Sequence, residues 1–306
     1  SFFWIIGLAY NMIVRAEGKM QTAAIMMGIG LVVNIISNYI LMKVLNMGVA
    51  GAAWGTNIGM FVYAFLFVTY CKKGKASFNA NIFTIRADRE IIKKIISLGM
   101  PSLIMSVMGI IQGVIILRAL KAYGSELDIT FYGAVFRIFN FSLTPIYGLM
   151  RALQPVAGIN YGAEKYERSI SSFNIFSFVA LIIMLPFWLF SMISPELVLG
   201  SMLPQVNFDS SYIFSFRIFM SIAPLLSVTM TAMTFWPSIK KATPAMAIGL
   251  GRQLFLYIPL MIVLPKIFGI QSIYIGSFVI DICLSVIVIV VLSKDFKDLR
   301  QLKTMK

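Results

Sequence analysis

Apolar runs of membrane length, separated by short polar turns, constrain this chain more than any motif does. A hydrocarbon core about 30 Å thick takes roughly 20 residues of helix, and the pattern predicts helices over residues 1–14, 21–42, 48–70, 91–120, 129–157, 171–193, 210–235, 243–264 and 270–292. In lipid the backbone has no water to bond to, so such a run closes its hydrogen bonds within itself as a helix. With 59% hydrophobic and 12% charged residues among 306, the chain reads as an all-α polytopic membrane protein, and a water-soluble globule is excluded.

Two stretches repeat. Thr22, Ala24, Gly28, Gly30, Gly48, Gly55 and Thr56 line up without a gap on Thr243, Ala245, Gly249, Gly251, Gly269, Gly276 and Ser277. One period holds six apolar segments, an even number, so both copies cross the bilayer in the same direction. That predicts two six-helix lobes related by a parallel repeat, rocking about a central site. Counting back by one period from the helix that begins near Ile91 places its counterpart before Ser1, so the first three to four helices are expected to be missing from this chain. Ser1 is neither an initiator Met nor preceded by a charged signal region. The expected organisation is residues 1–71 as the C-terminal part of the first lobe and 72–90 (KKGKASFNANIFTIRADRE) as a cytoplasmic linker. Residues 91–292 follow as the second lobe and 293–306 as a cytoplasmic tail.

Loop cations set the orientation. Placing the turn at Arg15 to Lys19 in the cytoplasm puts 18 of the 26 Lys and Arg inside, and leaves outside only Lys43, Arg118, Lys121 and Lys266. The net charge of +14 is therefore a topology signal that favours anionic lipid at the inner leaflet, not nucleic acid. This predicts a cytoplasmic C-terminus, with membrane lipids as partners; a monomer in the plasma membrane of a bacterial cell is the expected setting. The chain has no His, no Walker A loop, no GxSxG elbow and no HExxH, so it is not expected to be an enzyme, and no cofactor is expected beyond a coupling ion such as Na+ or H+. Cys71 and Cys283 lie at a cytoplasmic helix end and inside a helix, where a disulfide is not expected.

Polar residues inside the apolar runs are the candidate site. Asn34 and Asn38 share a helix face, and Thr56 lies at a similar depth on the next, antiparallel helix, so the three oxygens can converge. Amide hydrogen bonds between helices are the alternative. Gly51, Gly55 and Gly59 recur every four residues and read as a close-packing face. In the second lobe Asp281 is the only carboxylate deep in a helix, and Arg252 on the preceding helix sits at the same depth, roughly 14 Å from the inner edge. They are expected to pair, either as a permanent lock or as a pair opened by proton or substrate. Gln112 and Arg137 are assigned to the same cavity; Arg151 and Arg217 lie near helix ends, where they can snorkel. Pro145, Pro224 and Pro259 fall within helices as bends or static kinks.

The runs NMIVRAEGKMQTAA, NIISNYILM, MGVAGAAWGTNIG, LGMPSLIMS and above all LQPVAGINYGAEKYERS resemble multidrug and toxic compound extrusion (MATE) transporters. The resemblance spans the chain from within the fourth to the twelfth family helix. It implies a secondary active antiporter that exports drugs or other small amphipathic molecules, many of them cationic, in exchange for H+ or Na+ by alternating access of two lobes. It also implies that Asn34, Asn38 and Thr56 occupy the first lobe's cation-site positions. A carboxylate is usual in the family where this chain has Asn38, and the Glu that some branches carry eight residues after the helix-opening proline is here Gly109. Four intrahelical Arg against one Asp also make the cavity less anionic than a cation exporter favours, so either the missing helices supply carboxylates or the substrates are neutral, zwitterionic or anionic. The runner-up readings are a lipid-linked oligosaccharide flippase of the same superfamily and a non-transporting membrane scaffold.

Overall fold

Segments that must bond their own backbone become helices, and the computed structural model, which describes residues 2–73, 88–204, 206 and 208–304, contains no strand among them. Helix α1 spans Phe2–Ala16, and α2 spans Met20–Tyr39 and runs on into a π-helical segment, Ile40–Val44. Helices α3 (Gly48–Lys72), α4 (Arg89–Tyr123), α5 (Glu126–Gly162) and α6 (Tyr166–Ile193) follow. The short α7 (Pro195–Gly200), then α8 (Ser210–Ser221), α9 (Ala223–Ser238) and α10 (Ala242–Gly251) lead to a second π-helical segment, Arg252–Tyr257. It continues into α11 (Ile258–Phe268), and α12 (Gln271–Thr304) ends the described chain. Seven spans among the described residues are long and apolar enough to cross a membrane, which makes this a multi-pass membrane protein.

Proline chemistry explains three departures from the expected helices. The run 210–235 breaks at Ile222, and Pro224 sits in the first turn of α9, where its missing N–H costs nothing. Pro195 opens α7 in the same way. Pro259 has no N–H for the carbonyl four residues earlier and its ring crowds that carbonyl; the helix widens just before it, so that the N–H of Ile258 bonds the carbonyl of Gln253, five residues back.

The chain divides into two units, Ser1–Ile92 and Lys93–Lys306. Residues 74–87, most of the expected linker, lie outside the described residues. In the first unit Asn11 of α1 is buried and donates from Nδ2 to the carbonyl of Ala23 on α2 at 3.2 Å, while its Oδ1 accepts from Arg15 at 2.7 Å. Tyr63 and Phe67 of α3 pack on Val14 and Ala23. The glycine face of α3 lies hard against α2: a Cβ on Gly51 would stand 2.9 Å from the carbonyl of Leu41, and one on Gly59 would stand 2.9 Å from Cα of Asn34.

In the second unit one cluster joins Ile116, Leu120, Phe131, Phe216 and Tyr274. Another, at the opposite helix ends, joins Leu153, Phe173, Phe235, Trp236 and Leu292. Between them a smaller one holds Leu143, Ile146 and Met184. The repeat shows in the two corners that turn α2 into α3 and α11 into α12: Gly48 and Gly269, one period apart, have φ of 54° and 74°. That region favours glycine because it has no Cβ to clash.

Residues expected as a tail, 293–306, continue α12 through Thr304, because this end has partners. Leu299 is fully buried, and Asp295 accepts from the indole N–H of Trp236 at 2.8 Å and from the ammonium of Lys241. Asp295→Ala would leave the buried indole N–H without an acceptor and remove the partner of Lys241. We expect a loss of about 1–3 kcal/mol, read as a lower melting temperature of the detergent-purified protein; an unchanged value would show that the contact is idle.

Candidate functional site

Arg252 opens the second π-helical segment and Asp281 lies ten residues into α12, so both reach mid-span from neighbouring helices. Arg252 Nε donates to Asp281 Oδ1 at 2.7 Å, with Asp281 only 6% exposed. Arg252 also donates from Nη1 to Gln253 Oε1 at 3.3 Å, and its guanidinium lies 4.9 Å from the ring centre of Tyr257. Buried Gln253 donates from Nε2 to the carbonyl of Met108 at 3.0 Å and to Oε1 of Gln112, which ties α4 to the pair. The hydroxyls of Tyr257 and Ser277 bond each other at 2.8 Å. Thr229 and Ser285 do the same at 3.0 Å, one turn beyond Asp281. A charge at this depth is tolerable when paired and bonded in this way, and costly otherwise.

The pair borders a cavity of about 280 Å³ whose wall includes Asn140 and Tyr147 of α5, Thr229 of α9 and the methionines 105, 108, 230 and 233. Flexible, polarisable Met side chains let such a wall adapt to more than one shape. Of the residues assigned to this cavity, Asp281 and Arg252 line it directly, and Gln112 joins through Gln253. Arg137 does not line it. It is exposed, one turn before Asn140, and helical side chains lean toward the N-terminus, which carries its guanidinium away from Asp281. Gln253, Tyr257 and Ser277 were not expected at the site. The position of Ser277, paired with Thr56 by the repeat, is the one sequence signal that pointed to any of them.

In the first unit Asn34 and Asn38 meet: Nδ2 of Asn38 donates to Oδ1 of Asn34 at 3.3 Å, and Nδ2 of Asn34 reaches the carbonyl of Gly55 at 3.5 Å, the limit of a hydrogen bond. Oδ1 of Asn38 is buried without a partner. Thr56 does not join them, because its hydroxyl donates to the carbonyl of Ala52, one turn back on its own helix, at 2.8 Å. The hydroxyl oxygen of Thr56 keeps its lone pairs, and the hydrogen bonds here join only Asn34 and Asn38. The arrangement offers one unused amide oxygen and no carboxylate.

A model of the MatE family matches residues 98–263. The multidrug export protein MepA of Staphylococcus aureus (strain NCTC 8325 / PS 47) is 29% identical over 163 residues, which are 53% of this chain and 36% of that protein. MepA of Staphylococcus saprophyticus subsp. saprophyticus is 28% identical over the same length. The chain thus matches just over a third of the length of these relatives. Among solved structures, a MATE protein in a bent conformation superimposes with a TM-score of 0.86 at 20% identity, over 99% of this chain and 68% of that one. An outward-facing multidrug resistance MATE family transporter of the MOP superfamily gives 0.80 at 20% identity, over 96% and 66%.

Proposed function

Because the chain belongs to the MatE family, we propose that it acts in a secondary active exporter in a bacterial cell membrane. It moves small amphipathic molecules outward in exchange for H+ or Na+ as two lobes alternate access. The observation that carries this reading is the Arg252–Asp281 pair, buried at mid-span and set in the wall of a Met-lined cavity. A lock that served packing alone would not need a cavity beside it; a pair that opens when Asp281 takes a proton, or when a substrate competes for Arg252, links an ion to a cargo. The 18-to-4 distribution of Lys and Arg supports a cytoplasmic C-terminus. In the first unit the unused oxygen of Asn38 is the natural contact for a proton or cation, with Asn34 bonded to the same side chain and Thr56 on the neighbouring α3.

The test is efflux of a panel of fluorescent dyes from vesicles holding the full-length protein, with Na+ and pH gradients imposed separately. One gradient is expected to accelerate at least one dye. Alanine at Asn34, Asn38 and Thr56 together should slow it about fivefold with the amount of folded protein unchanged, since neutral interhelical hydrogen bonds are worth about 0.6 kcal/mol on average. Asn38→Asp should make efflux more dependent on one gradient, because a hard cation prefers anionic oxygen. Rates no faster than from empty vesicles under either gradient would reject the exporter. A wild-type rate in the triple alanine variant would leave Asn34, Asn38 and Thr56 as packing contacts.

A further inference from the structure

One face of α5 is polar along its whole membrane depth. Thr130, Arg137, Asn140, Thr144, Tyr147 and Arg151 share it, the last five at three- and four-residue spacing, and all but Asn140 are exposed. For the same reason α5, with 37 residues, is not among the seven apolar spans. Asn140 and Thr144 satisfy themselves on carbonyls four residues back, at 2.8 and 3.0 Å. The two arginines have no such recourse, and neither makes an ion pair among the described residues. Arg137 stands eleven residues from one end of α5 and Arg151 eleven from the other, each about 16 Å in and about 21 Å apart. Between them lie Asn140 and Tyr147, which line the cavity that holds Arg252. The cavity is thus bracketed along α5 by one guanidinium toward each end.

Little offsets these cations. Glu126 and Asp128 lie at the start of α5, where Asp128 is engaged by Ser125 and Tyr212. Glu164 lies beyond the far end of α5, and Glu167 there pairs with Arg300. Asp295 is taken by Lys241 and Trp236. Asp281, the carboxylate at cavity depth, already holds Arg252. Low-dielectric walls lined by one sign of charge concentrate ions of the other sign.

We propose that this cavity and the polar face of α5 form a path for amphipathic organic anions. A carboxylate, sulfonate or phosphate head is drawn in by Arg137 or Arg151 at either mouth and held at mid-depth by Arg252, while the apolar part rests on the methionines. This specifies the cargo of the exporter proposed above and rests on that reading.

Full-length protein in vesicles decides it with three probes: carboxyfluorescein as a soluble anion, ethidium as a cation, and fluorescently labelled phosphatidylglycerol as an anionic lipid. Gradient-driven flux of carboxyfluorescein is expected to exceed that of ethidium at least tenfold. Arg137→Gln with Arg151→Gln should lower it about tenfold, which is about 1.4 kcal/mol, without slowing ethidium. Lysine at both positions should restore most of the flux, which separates charge from folding. Flipping of the labelled lipid in place of carboxyfluorescein, with the same response to Gln and Lys, would support anion recognition and identify a lipid as the cargo. Ethidium flux without anion flux, or equal slowing of both dyes by the Gln pair, would overturn the anion path and leave the exporter standing. If no probe moves under either gradient, both readings fall.

Discussion

Asp281→Asn is expected to abolish the gradient-driven efflux proposed above and to lower the yield of folded protein, because it removes the counter-charge that makes Arg252 tolerable at mid-span. Breaking a buried pair by removing one partner costs about 3–5 kcal/mol, most of it the penalty of the stranded charge. Arg252→Gln in the same protein takes that charge away as well. The double variant is therefore expected to fold better than Asp281→Asn alone while remaining inactive. Exchanging the two residues should recover part of the stability. Melting temperature and yield give the folding arm of this double-mutant cycle, and vesicle efflux gives the transport arm. Additive losses in stability would mean that the two residues do not act as one unit.

Gly59→Leu is expected to break the first unit. A single Cβ there would stand 2.5 Å from Cβ of Asn34 and 3.0 Å from the carbonyl of Gly30, so α2 and α3 would have to move apart. Overpacking of a tight interface costs about 1–3 kcal/mol. In lipid no hydrophobic force recovers the loss, since helices associate there through close packing and interhelical hydrogen bonds. Gly28→Leu on α2 is the matched control, because nothing lies within 4 Å of its Cβ position. Size-exclusion profiles after heating should show Gly59→Leu aggregated at temperatures where Gly28→Leu remains monodisperse; equal profiles would sink the packing account.

What could be read from the sequence depended on whether a residue carried its own depth. Arg252 and Asp281 are each isolated charges in an apolar run, so counting rise per residue matched them, and the 2.7 Å contact followed. Gly51, Gly55 and Gly59 announced a close approach through spacing alone, and α2 lies against them. Gln253 gave no such cue. An uncharged amide beside an arginine does not reveal that its partner is the carbonyl of Met108, 145 residues away. Pro259 marked a weak point, but whether a helix kinks or widens around a proline is decided by its neighbours, and here it widened into the π-helical segment that presents Arg252. The bond of Thr56 to Ala52 carries no sequence cue beyond its being a hydroxyl on a helix, which has a partner one turn back on its own chain, and that local bond competes with convergence across helices. Arg137 was assigned by depth to a wall that its side-chain direction keeps it from reaching.

The Arg252–Asp281 pair also has an electrical consequence. A membrane potential does work only on net charge, about 2.3 kcal/mol for each elementary charge carried across 100 mV. The closed pair sums to zero, so a movement that carries both residues together is silent to voltage.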